Sequence, residues 1–341
     1  MQRSANKLEE VALLAGVSVS TVSRTLAGKA HVSEKARKKV LEAVNTLDYR
    51  PNMMARTLKL GYSSTIAVMI PSLDNLIYPA FVQGVQDEAS RAGYMVTICN
   101  TGENKDVEEQ FIRNSCNVMS VAGLIVSTIR NDSDHLAKLR DEGYPIVVAV
   151  RELDNSEFDT IVVDNFDGSK LMTKYLIDKG CHKIALVVGD RELSLYRKRY
   201  EGYMAALEEA SIEYEDELVV NDKEDNNVQL INDINALIER RPEVDAIFAT
   251  TDARAFAVTK ALKDMGLKIP QDIRVAGFDG VALGLYMDPP LTTVRQPFYE
   301  LGVQAVQQLL EQINARSSGD FGTYQRRRIV LKAELVIRQS A

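Results

Sequence analysis

Apolar positions recur along this chain at two different periods. In the first fifty residues they fall at helical spacing. Leu8, Val11, Ala12 and Ala15 share one face, Val22 and Leu26 a second, and Val40, Val44 and Leu47 a third. Gly16 stops the first helix, since only glycine takes the left-handed backbone cheaply. Ser18 is an N-cap for the next helix, and the third runs from about Ser33 to Leu47. From Tyr62 onward, short apolar runs (TIAVMIP, YMVTIC, GLIVS, PIVVAV, KIALVV, AIFAT, IRVAGF) alternate with amphipathic helical stretches. That alternation predicts parallel sheets covered by helices on both faces. About 280 residues is long for one such sheet, so two lobes are expected. The fold class read from the pattern is an all-α helix-turn-helix head (1–50) followed by an α/β body (62–341) of two doubly wound parallel-sheet lobes. The first lobe is expected over about 63–162 and 293–322, the second over about 163–292 and 323–341. DPPLTTVRQP marks a return crossing, with a helix at about 298–314 rejoining the first lobe and the strands from about 324 going to the second.

Charge divides the chain at the same place. Residues 1–61 hold eleven Lys/Arg and five Asp/Glu, an excess of six, whereas the whole chain carries −7, leaving −13 on the remainder. A basic head on an acidic body fits a head that meets a polyanion. On the second helix, 100° steps put Val19, Ser20, Ser23 and Arg24 opposite Val22 and Leu26. A polar second helix after a glycine turn is suited to the major groove, where Arg binds guanine bidentately and Ser or Val meets other base edges. The alternative for this pattern is a small helical bundle with a solvated face.

The stretch LEEVALLAGVSVSTVSRTLAGKAHVSEKARKKVLEAVNTLDYRPN closely resembles the N-terminal signature of the lactose/galactose repressor family of bacterial transcription regulators. The elements V-A-x-x-A-G-V-S, T-V-S-R, V-S-x-x-x-R-x-x-V and Y-x-P-N are all present. The resemblance runs more loosely along essentially the whole chain. It implies that Val19, Ser20 and Arg24 read bases, with Ser18, Thr21, Ser23, His31 and Asn52 at phosphates or nearby bases. It also implies a body of periplasmic-binding-protein type with an effector between its lobes; two such heads on a two-fold homodimer would read double-stranded operator DNA.

Ligands of open α/β sheets bind beyond the carboxyl ends of the strands. Asn75, Arg151, Asp164, Asn165, Arg199, Asp252 and Asp279 stand at such ends or on the helices that follow. Arg, Asp and Asn together suit a small polyhydroxylated or anionic, sugar-like molecule. Taken singly, each is an ordinary surface or capping residue, and Asp252 reads equally as a helix N-cap. By the resemblance, Arg199 (in RKRYEGY) and Asp279 (in GFDG) are effector ligands, and Arg151 matches the Arg of a D-R pair whose Asp is here Val150. The family's N-P-F-[FY] is NLIY, Asn75 to Tyr78. The chain has no Trp, and Asp222, Lys223 and Glu224 are charged where relatives carry an aromatic. Tyr78, Tyr196 and Phe166 are the available substitutes for an aromatic wall. These departures leave a regulatory protein partner open as an alternative to a metabolite.

Phosphate-binding glycine loops, H-E-x-x-H and G-x-S-x-G are absent, and His31, His135 and His182 are far apart. No cofactor is expected, and an enzyme or solute receptor is the weaker reading. No apolar run approaches the roughly 18 residues of a membrane span, and MQRSANKLEE lacks the apolar core of a signal peptide, so a cytoplasmic protein is expected. Cys99, Cys116 and Cys181 read as buried thiols. The run Gln325 to Arg328, QRRR, reads as an exposed strand start.

Between head and body lies RPNMMARTLKLG, Arg50 to Gly61, apolar where a linker is usually polar. Pro51 opens and Gly61 closes a helix, with Met54 and Leu58 on one face and Ala55 allowing close approach. About nine residues are too few for a stable isolated helix, so folding on DNA, paired with the dimer mate, is expected. The resemblance implies a hinge helix (51–61) in the minor groove, with Leu58 wedged between base pairs and Arg56 and Lys59 at phosphates or groove edges.

Overall fold

The computed structural model describes residues 2–26, 32–47, 49, 63–117, 119–128, 134–153, 157–223 and 226–341. It divides into two units, Met1–Ser64 and Thr65–Ala341.

In the first unit, α1 (Gln2–Ala15), α2 (Val19–Leu26) and α3 (Glu34–Thr46) share one small core. Val11, Val22 and Val40 are fully buried at its centre. Gly16 takes φ +64° after α1, and Ser18 Oγ caps α2 by accepting the Thr21 N–H at 3.2 Å. Ser33 Oγ caps α3 through the Ala36 N–H at 3.3 Å. The expected hinge over 51–61 lies outside the described residues.

The second unit holds two six-stranded sheets. The first comprises β1 (Thr65–Ile70), β2 (Met95–Asn100), β3 (Gly123–Val126), β4 (Ile146–Ala149), β5 (Asp159–Val163) and β11 (Arg328–Leu331) in the order β2-β1-β3-β4-β5-β11, all parallel. The second comprises β6 (Ile184–Val188), β7 (Val219–Asn221), β8 (Ala246–Ala249), β9 (Arg274–Asp279), β10 (Thr292–Arg295) and β12 (Glu334–Val336), in the order β7-β6-β8-β9-β10-β12. The orders correspond strand for strand. Central strands such as GLIV and IVVA are buried at every position, as sheets covered on both faces require. Helices α4 (Tyr78–Arg91), α5 (Lys105–Asn117) and α6 (Asp134–Asp141) follow strands of the first sheet. α7 (Asn165–Asp178) follows β5 and leads the chain to β6, α8 (Ser194–Glu209), α9 (Asn227–Arg240) and α10 (Asp252–Asp264) follow strands of the second sheet, and α11 (Phe298–Ser318) returns to the first lobe.

The chain's last third corrects two boundaries. β10 stays in the second sheet, parallel to β9, so the return crossing falls at Gln296 and Pro297, after 293. β11 belongs to the first sheet, beside β5, so the chain joins the second lobe only past Leu331 rather than at 323. Its partner there, β12, runs antiparallel to β10, so the second sheet is not wholly parallel. An apolar run such as RIVL carries no mark of its sheet. Its place is set by α11, which delivers the chain to the open side of β5. Gln312 on α11 fixes that docking by exchanging two 2.8 Å bonds with the Ile146 backbone. α11 ends at Gly319, φ +86°, a turn beyond the expected stop.

In each lobe a glycine lets a pair of helices meet at backbone distance. A Cβ on Gly84 of α4 would stand 2.0 Å from the Tyr299 carbonyl oxygen of α11, and one on Gly302 of α11 2.2 Å from that of Phe81. In the second lobe, a Cβ on Gly202 of α8 would lie 2.3 Å from the Phe166 carbonyl of α7.

All three cysteines are free thiols, but only Cys181 is buried; Cys99 and Cys116 are half-buried. They face a lobe interior only in part, because Cys99 lies on the edge strand β2. Burial still pushes the Cys116 thiol up to about 11. Among the described residues, no helix is long and apolar enough to cross a membrane.

Candidate functional site

Two candidate sites are built on different units. In the head, the α2 side opposite buried Val22 and Thr25 exposes Val19, Ser20, Ser23 and Arg24. Ser18 Oγ lies 2.8 Å from Ser20 Oγ and 2.9 Å from Thr21 Oγ1, which orders the hydroxyls at the start of the helix. Thr25 is the inward residue that the apolar pattern missed, because a threonine is not counted as core. It reaches inward by donating to the Thr21 carbonyl at 2.8 Å. Lys35, Lys38 and Lys39 are exposed on α3. His31, Asn52, Ala55, Arg56, Leu58 and Lys59 lie outside the described residues.

In the body, the strand ends of both lobes carry the polar residues expected there. Arg199 is the centre. It is 3% exposed, donates from Nε to Asn165 Oδ1 at 2.8 Å, and donates from Nη1 to the Thr250 carbonyl. Nη1 also stands 3.5 Å from Asp279 Oδ1, and the guanidinium lies 3.8 Å from the centre of the Phe278 ring. Among the described residues its Nη2 has no acceptor. Burial lowers the Arg199 pKa, and the Asp279 charge opposes that. A buried charge is costly unless paired and hydrogen-bonded, and here Asn165, the Thr250 carbonyl and Asp279 are the partners. Asp279 ends β9 with φ +125°, an expensive backbone for a residue other than glycine. Gln296 Nε2 donates to its Oδ1 at 2.7 Å. Burial raises its pKa, and Arg199 pulls the other way.

A second buried pair adjoins the first. Arg254 Nε meets Asp222 Oδ2 at 2.8 Å and Nη2 donates to the Asp222 carbonyl at 3.1 Å. Arg254 Nη1 donates to the Tyr196 hydroxyl at 2.9 Å. The Tyr196 ring occupies space that Gly189 leaves open, since a Cβ there would stand 2.5 Å from the ring. So the charged stretch after β7 does not replace an aromatic wall with open solvent. Its Asp222 carboxylate folds inward onto Arg254, and Tyr196 supplies a ring.

From the first lobe, Tyr78 and Arg151 enter. Tyr78 is buried, with its hydroxyl 2.8 Å from Ser127 Oγ. Arg151 lies 3.6 Å from Glu103. Burial would lower its pKa, but Tyr78 in its own lobe, Tyr196 in the other and the charge and hydrogen bond of Glu103 together raise it. It follows Val150, whose φ is +69°, in a tight turn closed by Arg151 N–H to the Ala149 carbonyl at 2.8 Å. Such a turn is strained for a β-branched residue.

Three expected ligands stand in supporting places. Asn75 Oδ1 accepts the Ile77 N–H at 3.2 Å, turning the chain into α4. Asp164 caps α7 through the Asp167 N–H at 2.9 Å, and its neighbour Asn165 reaches Arg199 instead. Asp252 is fully buried as the first residue of α10, while Thr251 is the cap. Its two oxygens accept from Thr293 Oγ1 at 2.6 Å and the Val281 N–H at 2.8 Å. It braces the loop after Asp279 from behind. Arg254, Ser127, Phe278 and Gln296 were not anticipated. Arg254 had a signal: it is one helical turn beyond Thr251, on the same side of α10.

Residues 7–52 match the family described as "Bacterial regulatory proteins, lacI family". Residues 63–330 match "Periplasmic binding proteins and sugar binding domain of LacI family". The ribose operon repressor of Halalkalibacterium halodurans is 34% identical over 334 residues, covering 98% of this chain and 96% of that protein. The HTH-type transcriptional repressor PurR of Vibrio campbellii is 32% identical over 98% of both chains. Among solved structures, the lac repressor dimer bound to operator and the anti-inducer ONPF superposes with a TM-score of 0.78 at 26% identity, covering 97% of each chain. The transcriptional regulator CelR with cellobiose gives 0.74 at 28%, covering 98% of this chain and 99% of that one. With both halves matched and the similarity running end to end, this chain belongs to the LacI family: it is a DNA-binding transcriptional repressor with a metabolite-binding body, and not an enzyme.

Proposed function

We propose that the protein is a cytoplasmic homodimer that binds a pseudo-palindromic operator and is gated by a small sugar-like metabolite between the lobes of its body. The observation that carries the effector reading is Arg199, buried between Asn165, Asp279 and the Phe278 ring. Sugar hydroxyls both donate and accept, and a carboxylate beside a guanidinium offers both partners at fixed spacing. Such a preassembled polar pair favours a small molecule over a protein partner as the occupant. Ribose and cellobiose are the first candidates, by analogy with the relatives' names.

The dimer is supported by apolar surface on both lobes. Edge strand β2 exposes Met95 and Ile98, and the turn Ala282–Tyr286 exposes Leu283, Leu285 and Tyr286. An open apolar edge calls for a cover. Two heads on a two-fold dimer would read two half-sites with Val19, Ser20 and Arg24. Residues 51–61 would fold as paired hinge helices on the operator, with Leu58 as the minor-groove wedge.

Calorimetry of the full chain against pentoses, hexoses and disaccharides tests the effector. A binder should lose roughly 10- to 150-fold in affinity in Arg199→Met and in Asp279→Asn, as expected for a hydrogen bond to a charged group. Unchanged affinity in both variants would place the ligand elsewhere.

A further inference from the structure

Two polar groups stand over the second sheet. Arg199 and Asp279 meet above the carboxyl ends of β8 and β9, where Arg199 donates to the Thr250 carbonyl and Asp279 ends its strand. The other group lies toward the edge strand β7. Asp222 follows β7, Tyr196 is on α8 after β6, and Arg254 is on α10 after β8. Asp222 and Arg254 are 8% and 3% exposed. Both Asp222 oxygens are engaged. Oδ2 accepts from Arg254 Nε at 2.8 Å, and Oδ1 accepts the N–H of Asn226, the N-cap of α9, at 3.2 Å. Tyr196 is held by this pair. Its hydroxyl accepts from Arg254 Nη1 at 2.9 Å, and the Arg254 guanidinium lies 4.9 Å from the ring centre. The Arg199 guanidinium lies 5.8 Å from the same ring. Behind the ring is Gly189, where a Cβ would stand 2.5 Å from it. The ring is half-buried, and close enough to Tyr78 and Arg151 of the first lobe to act on the ionisation of both. It therefore stands between the lobes.

We propose that the Asp222–Arg254 pair and the Tyr196 ring it holds form the specificity-determining wall of the cleft and limit the effector to a single sugar ring. This rests on the sugar-like effector proposed above. A sugar ring has a C–H face and an edge of hydroxyls. Tyr196 offers the face a flat apolar surface, and Arg199 with Asp279 meets the edge. A second ring extending toward β7 would run into Asp222 and Arg254. Admitting it means parting a buried, hydrogen-bonded ion pair, which is strongly unfavourable because each charge loses its partner. On the far side Asp279 and Gln296 are equally buried, bonded to each other at 2.7 Å, so the occupant meets a wall on either hand. The charge at Asp222 thus has a role where the family resemblance expects an aromatic. The ring comes from α8 instead, and Asp222 holds it in place through Arg254.

The test is calorimetry of the full-length protein with D-ribose, D-glucose and cellobiose. One of the single-ring sugars should bind at least about 100-fold more tightly than cellobiose, the penalty of parting the ion pair. Tyr196→Leu should weaken that binding by roughly 3- to 10-fold. Asp222→Ala combined with Arg254→Ala removes both charges together, so neither is left buried alone, and circular dichroism verifies the fold. This double variant should bind cellobiose about tenfold or more tightly than the wild type does, a gain that a merely structural role would not produce. The proposal is overturned by a wild type that binds cellobiose as tightly as either single ring, by an unchanged affinity in Tyr196→Leu, or by a folded double variant that still rejects cellobiose. Wild-type cellobiose binding that is lost in Arg199→Met would keep the effector reading and remove only the wall. Silence toward all three sugars would remove the sugar-like effector and the wall with it.

Discussion

At the scale of single residues, the site is held by charges that the fold pays to bury. Asp252 shows what this does to the pH response. Burial and the neighbouring Asp279 charge raise its carboxyl to about 7 against an ordinary 3.8, even though Thr293 and the backbone N–H groups of Val281 and Gly280 pull it down. A carboxyl raised on folding binds its proton more tightly in the folded state. Its contribution to stability is therefore full below about pH 4 and is lost as the pH rises through about 7. In Asp252→Asn the amide oxygen still accepts from Val281 and the NH₂ finds the Thr293 hydroxyl, but nothing titrates. Urea denaturation across pH 4 to 7 should show a flatter slope in this variant, by up to about 1.4 kcal/mol per pH unit, one proton's worth. An identical slope in both proteins would mean that the Asp252 carboxyl titrates in the fold as it does in the unfolded chain. Sequence position alone put Asp252 with the ligands because it stands at a strand end. It did not show that both oxygens turn back into the lobe, which depends on Thr293, forty-one residues away.

At the scale of elements, alternation of apolar runs and helices was enough to predict two lobes, and helical spacing around Gly16 the helix-turn-helix. What it could not carry was sheet membership. β11 and β12 are both short and half-exposed, and only the docking of α11 decides which sheet receives each. That docking turns on glycines whose importance is invisible in a periodic pattern. Gly84 and Gly302 bring α4 and α11 to backbone contact, and Gly202 does the same for α8 and α7. A methyl group at Gly202 would meet a main-chain oxygen, which cannot rotate away as a side chain can. Gly202→Ala should cost ~1–3 kcal/mol, the usual range for overpacking, measured as a shift in urea midpoint. Because α8 also carries Arg199, the same variant should weaken effector binding. A fully stable Gly202→Ala would mean that the helices separate without cost, and the close crossing would then not be what positions Arg199.

At the scale of the molecule, function requires that a basic head be brought to DNA by a body that repels it. The excess of six positive charges up to residue 61 and the −13 beyond it set that division, and a strongly salt-dependent operator affinity follows, since each neutralised phosphate releases counterions. The proposed two-fold dimer makes this quantitative. Any contact is made twice by a dimer, so one substitution removes two phosphates. Lys59 is proposed to meet a phosphate from the hinge. For Lys59→Ala, the slope of log affinity against log salt concentration should fall by about 1.8, twice the value of about 0.9 per phosphate. Fluorescence anisotropy on an operator duplex between low and moderate salt measures it. A change near 0.9 would indicate one head engaged at a time and argue against the symmetric dimer. No change would remove Lys59 from the phosphate contacts, while a steep wild-type slope would still leave the head as the DNA-binding unit.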